Sequence, residues 1–129
     1  MWVITSGDFS LTLATDVGHV TAEVHRYAAL ARHLILEANY DPEMLWRGRY
    51  PQYLKERVSG GNGHLSNLES AEFLCDVYHP ELERVWLCHL SRENNHPELC
   101  RKTFEEVLFR RGILPPSHFV LEPLKRSTP

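Results

Sequence analysis

Two short runs of consecutive apolar residues, Leu34-Ile35-Leu36 and Val85-Trp86-Leu87, constrain the fold most. A strand with one wet face alternates apolar and polar residues, whereas an unbroken run is expected of a strand covered on both faces, as in a parallel sheet. Parallel neighbours need a long crossover between them, usually a helix. The segment around Val24, Tyr27, Ala28 and Ala31 has helical spacing and precedes the first run, and Phe9–Ala14 supplies another strand before it. Strand, helix, strand is a crossover unit, and the chain reads as an α/β layer structure.

The remaining segments fit this frame. Trp2–Ile4 and Phe9–Ala14 flank Thr5-Ser6-Gly7-Asp8, a hairpin turn composition, and the second strand is expected to end at Asp16. Thr21 is placed to cap the first helix and Asp41 to cap a short one starting at Pro42. A further short helix is expected over Pro51–Val58, followed by the permissive Ser59–Gly63 stretch that delivers His64. Ser66 or Asn67 caps the next helix, with Ala71, Leu74, Cys75 and Tyr78 on one face, which ends before Pro80. After the Val85–Cys88 strand, Pro97 opens a helix that buries Leu99, Phe104, Val107 and Leu108 and stops at Gly112. Phe119–Leu121 is the last strand, and 123–129 reads as a flexible tail.

Composition narrows the function classes. A formal net charge of −3 supplies no global basic field for nucleic acid, so any such contact is local. No apolar run approaches the ~20 residues that cross a bilayer, and no secretory signal is visible, so a cytoplasmic location without membrane contact is expected. Three cysteines without a Cys-x-x-Cys pair read as reduced, mostly buried thiols. The local basic candidate is Arg47, Arg49, Lys55 and Arg57 interleaved with Trp46, Tyr50 and Tyr53, which suits either a solvated amphipathic face or a phosphate track with aromatic stacking.

Eight histidines are the compositional oddity, and imidazole is both the commonest metal ligand and the side chain that exchanges protons near neutrality. In open α/β sheets the usual site lies in loops beyond the carboxyl ends of strands. Asp16 and His89 both fall at such ends. On its own, Asp16 reads first as a turn carboxylate capping the following helix, while His89 reads equally as a ligand or a hydrogen-bonded strand-end residue, and His64 equally as a catalytic group or a support for its glycine-rich turn. Glu37 also lies near a strand end but is assigned to the strand, and no second signal makes Glu37 and Asp41 an acid–base pair. Cys88 beside His89 reads as a strand cysteine, not a nucleophile. His25, His33, His79 and His118 occupy structural positions, and His96 caps the helix at Pro97.

Four motifs then occur in order: Ala-Thr-Asp-Val-Gly-His-Val, Leu-Ile-Leu-Glu-Ala-Asn-Tyr-Asp-Pro-Glu-Met-Leu, Gly-His-Leu-Ser-Asn, and Cys-His-Leu-Ser-Arg-Glu-Asn-Asn-His-Pro-Glu-Leu. Together, over about Phe9–Gly112, they resemble the C-terminal half of metallo-β-lactamase-fold hydrolases, in the branch of the YycJ/WalJ nuclease-like proteins. The resemblance implies a four-layer αββα sandwich of which residues 1–122 supply about the C-terminal half, as one sheet with flanking helices. It implies two divalent metal ions, zinc or manganese. Asp16 matches the carboxylate that bridges them, His89 a ligand of the second, and His64 a non-ligand histidine that contacts the scissile phosphate. Asn94 and Asn95 match loop positions to which no role is assigned.

The resemblance also carries a departure. The family's His-x-His-x-Asp-His motif lies upstream of the position of Asp16 and does not occur in this sequence. A catalytic zinc usually takes three protein ligands, so two ligands imply weak or no metal binding by this chain alone. The expected function is a metal-dependent, nuclease-like phosphodiester hydrolase completed by an N-terminal half or by a second copy, with DNA or another phosphodiester as substrate. The alternative is a non-catalytic α/β interaction module that keeps the scaffold.

Overall fold

The computed structural model describes residues 2–6, 9–14, 22–60, 63–115 and 117–124. Its strands are β1 (Trp2–Ser6), β2 (Phe9–Ala14), β3 (His33–Glu37), β4 (Arg84–Cys88) and β5 (Val120–Pro123). Its helices are α1 (Ala22–Ala28), α2 (Pro42–Arg47), α3 (Gln52–Ser59), α4 (Asn67–Val77) and α5 (Pro97–Arg110). The five strands form one sheet in the order β1-β2-β3-β4-β5. β1 and β2 pair antiparallel, and β2 to β5 run parallel, so both unbroken apolar runs are inner parallel strands.

Because parallel neighbours follow in chain order, right-handed crossovers put every crossover on the same face. That face is the core. Leu34, Leu36, Val85, Leu87 and Leu121 point into it and pack with Ala28 of α1, Leu74 of α4, and Phe104 and Leu108 of α5. Alternation turns Leu11, Leu13, Ile35 and Trp86 to the opposite face, where all four are partly exposed. Ile35 sits directly across from Trp86, on whose ring His33 stacks at 6.0 Å. At the β5 edge, the Arg101 guanidinium donates to the Leu121 carbonyl at 3.1 Å, occupying one acceptor that an edge strand would otherwise offer.

Local signals hold in most places, with some shifts of boundary. Asp41 accepts from the Met44 N–H at 3.0 Å, with Pro42 in the first turn of α2. Ser66 and Glu69 form a reciprocal capping box on α4, and His96 Nδ1 accepts from the Glu98 N–H at the start of α5. The hairpin is tighter than the turn composition suggests, since pairing continues to Ser6 and Phe9. α1 stops at Ala28, short of the expected Ala31, which closes a turn back onto the Ala28 carbonyl. Leu99 is only half-buried, so the inward stripe of α5 is Cys100, Phe104 and Leu108. β5 runs to Pro123, the first residue assigned to the tail, and Leu124 N–H still bonds the Leu87 carbonyl at 2.8 Å. The Thr21 cap, the turn after Ala14 and residues 125–129 lie outside the described residues.

The three cysteines are free thiols. Cys75 and Cys100 are buried, and burial pushes the Cys100 thiol up to about 12, which suits an inert core residue.

Candidate functional site

The site forms where β3 and β4 end. Glu37 closes β3 with its side chain fully enclosed, opposite Cys88 in register. A buried carboxylate needs donors on both oxygens. Oε1 accepts the Leu65 N–H at 3.3 Å, while Oε2 lies 2.8 Å from His89 Nδ1 and 3.1 Å from His64 Nδ1. Three segments distant in sequence therefore converge on one carboxylate.

The backbone enforces that convergence. Past β3 the chain pairs with the segment carrying His64: Asn39 N–H bonds the Leu65 carbonyl at 3.0 Å, Asn67 N–H bonds Tyr40 at 2.8 Å, and Tyr40 and Ser66 form a parallel bridge. Gly63 sets the approach from the other side. A Cβ there would overlap the Arg57 and Val58 carbonyls at the end of α3, so only glycine lets the chain pass and place His64. On the β4 side, Ala38 N–H bonds the Cys88 carbonyl at 3.0 Å, and the Asn39 amide donates to the His89 carbonyl at 2.8 Å. His89 itself sits at φ 59°, a left-handed conformation that a β-carbon disfavours. Such strain persists where surroundings over-determine it, and it gathers at functional sites. Here it swings the imidazole back toward Glu37.

Beneath the histidines lies a second set of polar contacts. Ser70 Oγ donates to the Glu37 carbonyl, the Asn95 amide donates to the Ala38 carbonyl at 3.0 Å, and Ser91 N–H bonds the Asn39 carbonyl at 2.7 Å. Asn67 and Asn95, both buried, exchange two amide bonds of 2.9 Å. Asn95 is thus structural. Nearby, burial and then the Glu69 charge raise the Tyr40 phenol to about 12.

An ionised carboxylate can only accept, so each imidazole bonded to it donates Nδ1–H, and in a neutral ring Nε2 is then the nitrogen that carries a lone pair. The rings are partly exposed, with side chains 38% and 48% accessible for His64 and His89, and they line an open cleft of about 440 Å³. This geometry suits divalent metal ligation, since a metal-binding histidine characteristically ties its other nitrogen to a carboxylate. Among the described residues no three His, Cys, Asp or Glu side chains converge on a single metal position. Asp16, the expected bridging ligand, lies outside the described residues, two positions beyond the end of β2.

The structure brings His64 and His89 together and adds to the reading of Glu37. Glu37 is a strand residue, as assigned, but it is also the hub of the site. Its partners are the two histidines, while Asp41 is only a helix cap. The missed signal was a carboxylate ending an otherwise apolar inner strand, where burial demands donors. His25, His33, His79, His96 and His118 make no part of the cluster; His79 bonds the Ala31 carbonyl and His118 the Leu114 N–H.

A parallel α/β sheet with a carboxylate–histidine cluster at the carboxyl ends of its strands defines the class: a domain whose site sits where such sheets hold ligands. No protein-family model matches the chain. Over 103 residues it is 37% identical to exodeoxyribonuclease YycJ of Bacillus anthracis, an alignment covering 80% of this chain and 39% of that protein. Over 106 residues it is 38% identical to exodeoxyribonuclease WalJ of Streptococcus pneumoniae strain D39, covering 82% of this chain and 39% of that one. These relatives are homologues that match the YycJ/WalJ group its motifs resemble, and the chain spans 39% of their length.

Proposed function

We propose that this chain carries part of the active site of a metal-dependent phosphodiester hydrolase acting on DNA, with Asp16 and His89 as metal ligands and His64 as the phosphate contact. The observation that carries the proposal is the single buried oxygen of Glu37, which receives Nδ1 of both His64 and His89 and so orients two imidazoles that line one cleft. Neutral imidazole with carboxylate suits zinc and manganese alike. When bound, two divalent ions would stabilise charge developing on the phosphoryl oxygens. The chain's own residues do the rest. Glu37 fixes ring orientation and tautomer, His89 offers Nε2 as a ligand, and His64 holds a proton-exchanging nitrogen beside the scissile phosphate.

The partly exposed apolar face of Leu11, Leu13, Ile35 and Trp86 supports a further layer over the sheet, as the second half of an αββα sandwich would provide. That half, from an N-terminal segment or a second copy, would add the remaining ligands. Among the described residues no helix is long and apolar enough to cross a membrane.

The test measures bound metal by mass spectrometry and nucleotide release from end-labelled DNA, with the chain alone and with a polypeptide matching the rest of a relative's length. Metal and activity are expected in the complemented sample and are lost with Asp16→Asn or His89→Ala. Unchanged metal content in both variants would sink the assignment.

A further inference from the structure

Asn94 has no place in the cluster of Glu37, His64 and His89, yet it is only 2% exposed. Its backbone is engaged, N–H donating to Ser91 Oγ at 3.2 Å and the carbonyl accepting Asp41 N–H at 2.8 Å. Its side-chain amide forms no hydrogen bond among the described residues, and it lines the cleft that holds His64 and His89. An amide that lines an open cleft is satisfied there by water, and a ligand that displaces this water must take over its hydrogen bonds. The packing leaves room for the amide: a Cβ on Gly48 would lie 3.0 Å from Asn94 Oδ1 and 2.8 Å from the Met44 carbonyl.

Other lining residues are aromatic or apolar. Tyr50, in the link between α2 and α3, lines the same cleft with Val58 and Leu90. Beside these lining positions in sequence, Arg57 and Arg92 are exposed and make no ion pair among the described residues, in contrast to Arg47 and Arg49, which pair with Glu43 and Glu93. An aromatic ring and a side-chain amide lining one cleft match the base and the base edge of a nucleotide. About 440 Å³ lies within the range of small-ligand sites.

We propose that this cleft seats one unpaired terminal nucleotide of DNA, with its base stacked on Tyr50 and the base edge held by the Asn94 amide. The proposal rests on reading His64 and His89 as a phosphodiester site, because it places the base next to the bond those histidines would address. It assigns Tyr50 and Asn94 to positioning of the substrate and gives them no part in the bond-breaking step.

The test reads binding without turnover. An internally labelled single-stranded oligodeoxyadenylate is titrated with the chain in EDTA, followed by fluorescence anisotropy, alongside the same strand with an abasic residue at its 5′ or its 3′ end. The chain is expected to bind the intact strand roughly tenfold more tightly than one of the abasic strands. Tyr50→Ala and Asn94→Ala should each erase that difference, and Tyr50→Phe should keep it, with circular dichroism melts verifying the fold of each variant. Equal affinity for intact and abasic strands, or discrimination that survives both alanine changes, overturns the proposal. Hydrolysis of bis(p-nitrophenyl) phosphate, which has no base, tests the hydrolase reading separately, so failure of either is recognisable by itself.

Discussion

Replacing Glu37 by glutamine removes a charge while conserving shape, and the contacts of that side chain fix the outcome. One carboxylate oxygen accepts from two imidazoles and the other from the Leu65 N–H, so all three contacts need an acceptor. An amide offers one accepting atom. If the amide oxygen faces the histidines, both bonds change from charge-assisted to neutral and the NH2 confronts the Leu65 N–H, donor against donor. If the NH2 faces the histidines, both rings must move their protons to Nε2 and surrender the lone pairs there. Charge-assisted bonds are worth about 1.5–3 kcal/mol against about 1 kcal/mol for neutral ones, and an unsatisfied buried donor costs about 1–3 kcal/mol. Glu37→Gln should therefore destabilise the chain by about 2–4 kcal/mol, a large share of a marginal stability of roughly 5–15 kcal/mol. Metal affinity in the complemented protein should fall about 10–100-fold, as for other lost carboxylate–histidine–metal contacts. Urea denaturation gives the first quantity, metal titration the second, and long-range proton–nitrogen spectra of the imidazoles give the tautomers. A variant within about 0.5 kcal/mol of the parent, with both rings still protonated at Nδ1, would refute the reasoning.

Three further outcomes arise from contacts around the site. Asn95→Ala strips partners from the Ala38 carbonyl and from both ends of the buried Asn67 amide, and should cost about 3 kcal/mol by denaturation; the Asn67→Ala, Asn95→Ala double variant should cost less than the sum of the singles. His89→Gly should be more stable than His89→Ala by about 1 kcal/mol, because the left-handed backbone at 89 penalises a β-carbon; equal melting points would show that the backbone relaxes. Tyr40 is an acid whose folded value, about 12, lies above its ordinary 10, so the fold binds the proton more tightly than the unfolded chain. Its stabilising contribution is whole below pH 10 and is lost as pH rises from 10 toward 12, by about 2–3 kcal/mol in all. Tyr40→Phe should flatten the alkaline limb of stability against pH, and an unchanged slope would remove Tyr40 as its source.

How much of this was legible in the sequence depended on distance along the chain. Asp41-Pro42 and His96-Pro97 are caps, in which a side chain answers a backbone group two or three residues away, and residue type alone reveals them, whereas at α4 residue type leaves Ser66 and Asn67 both open and the reciprocal bonds with Glu69 select Ser66. The unbroken Leu34–Leu36 and Val85–Leu87 runs announce parallel inner strands because burial on two faces leaves no polar alternate. His89 and His64 were legible as candidates through their motifs and strand-end positions. Glu37 as their common partner was not, because its donors stand 27 and 52 residues away and no local pattern encodes that meeting. The same holds for the Asn-Asn pair: Asn94 and Asn95 are adjacent and chemically identical, yet one is locked to Asn67 and Ala38 and the other opens to the cleft. Only packing separates them.

The strand order, which repeats the order of the chain, bears on synthesis. From β2 onward each new strand docks beside its predecessor, so a chain emerging from the ribosome can extend the sheet without reserving a gap for a later arrival. Hydrogen-bonded edges are filled one after another. The carboxylate of Glu37 is an exception to this steady progress: it belongs to β3, while its partners His64 and His89 follow 27 and 52 residues later in the chain. A nascent chain halted before β4 would carry that carboxylate with one of its two imidazoles missing, which makes arrival of β4 the step that closes both the sheet's interior and its chemistry.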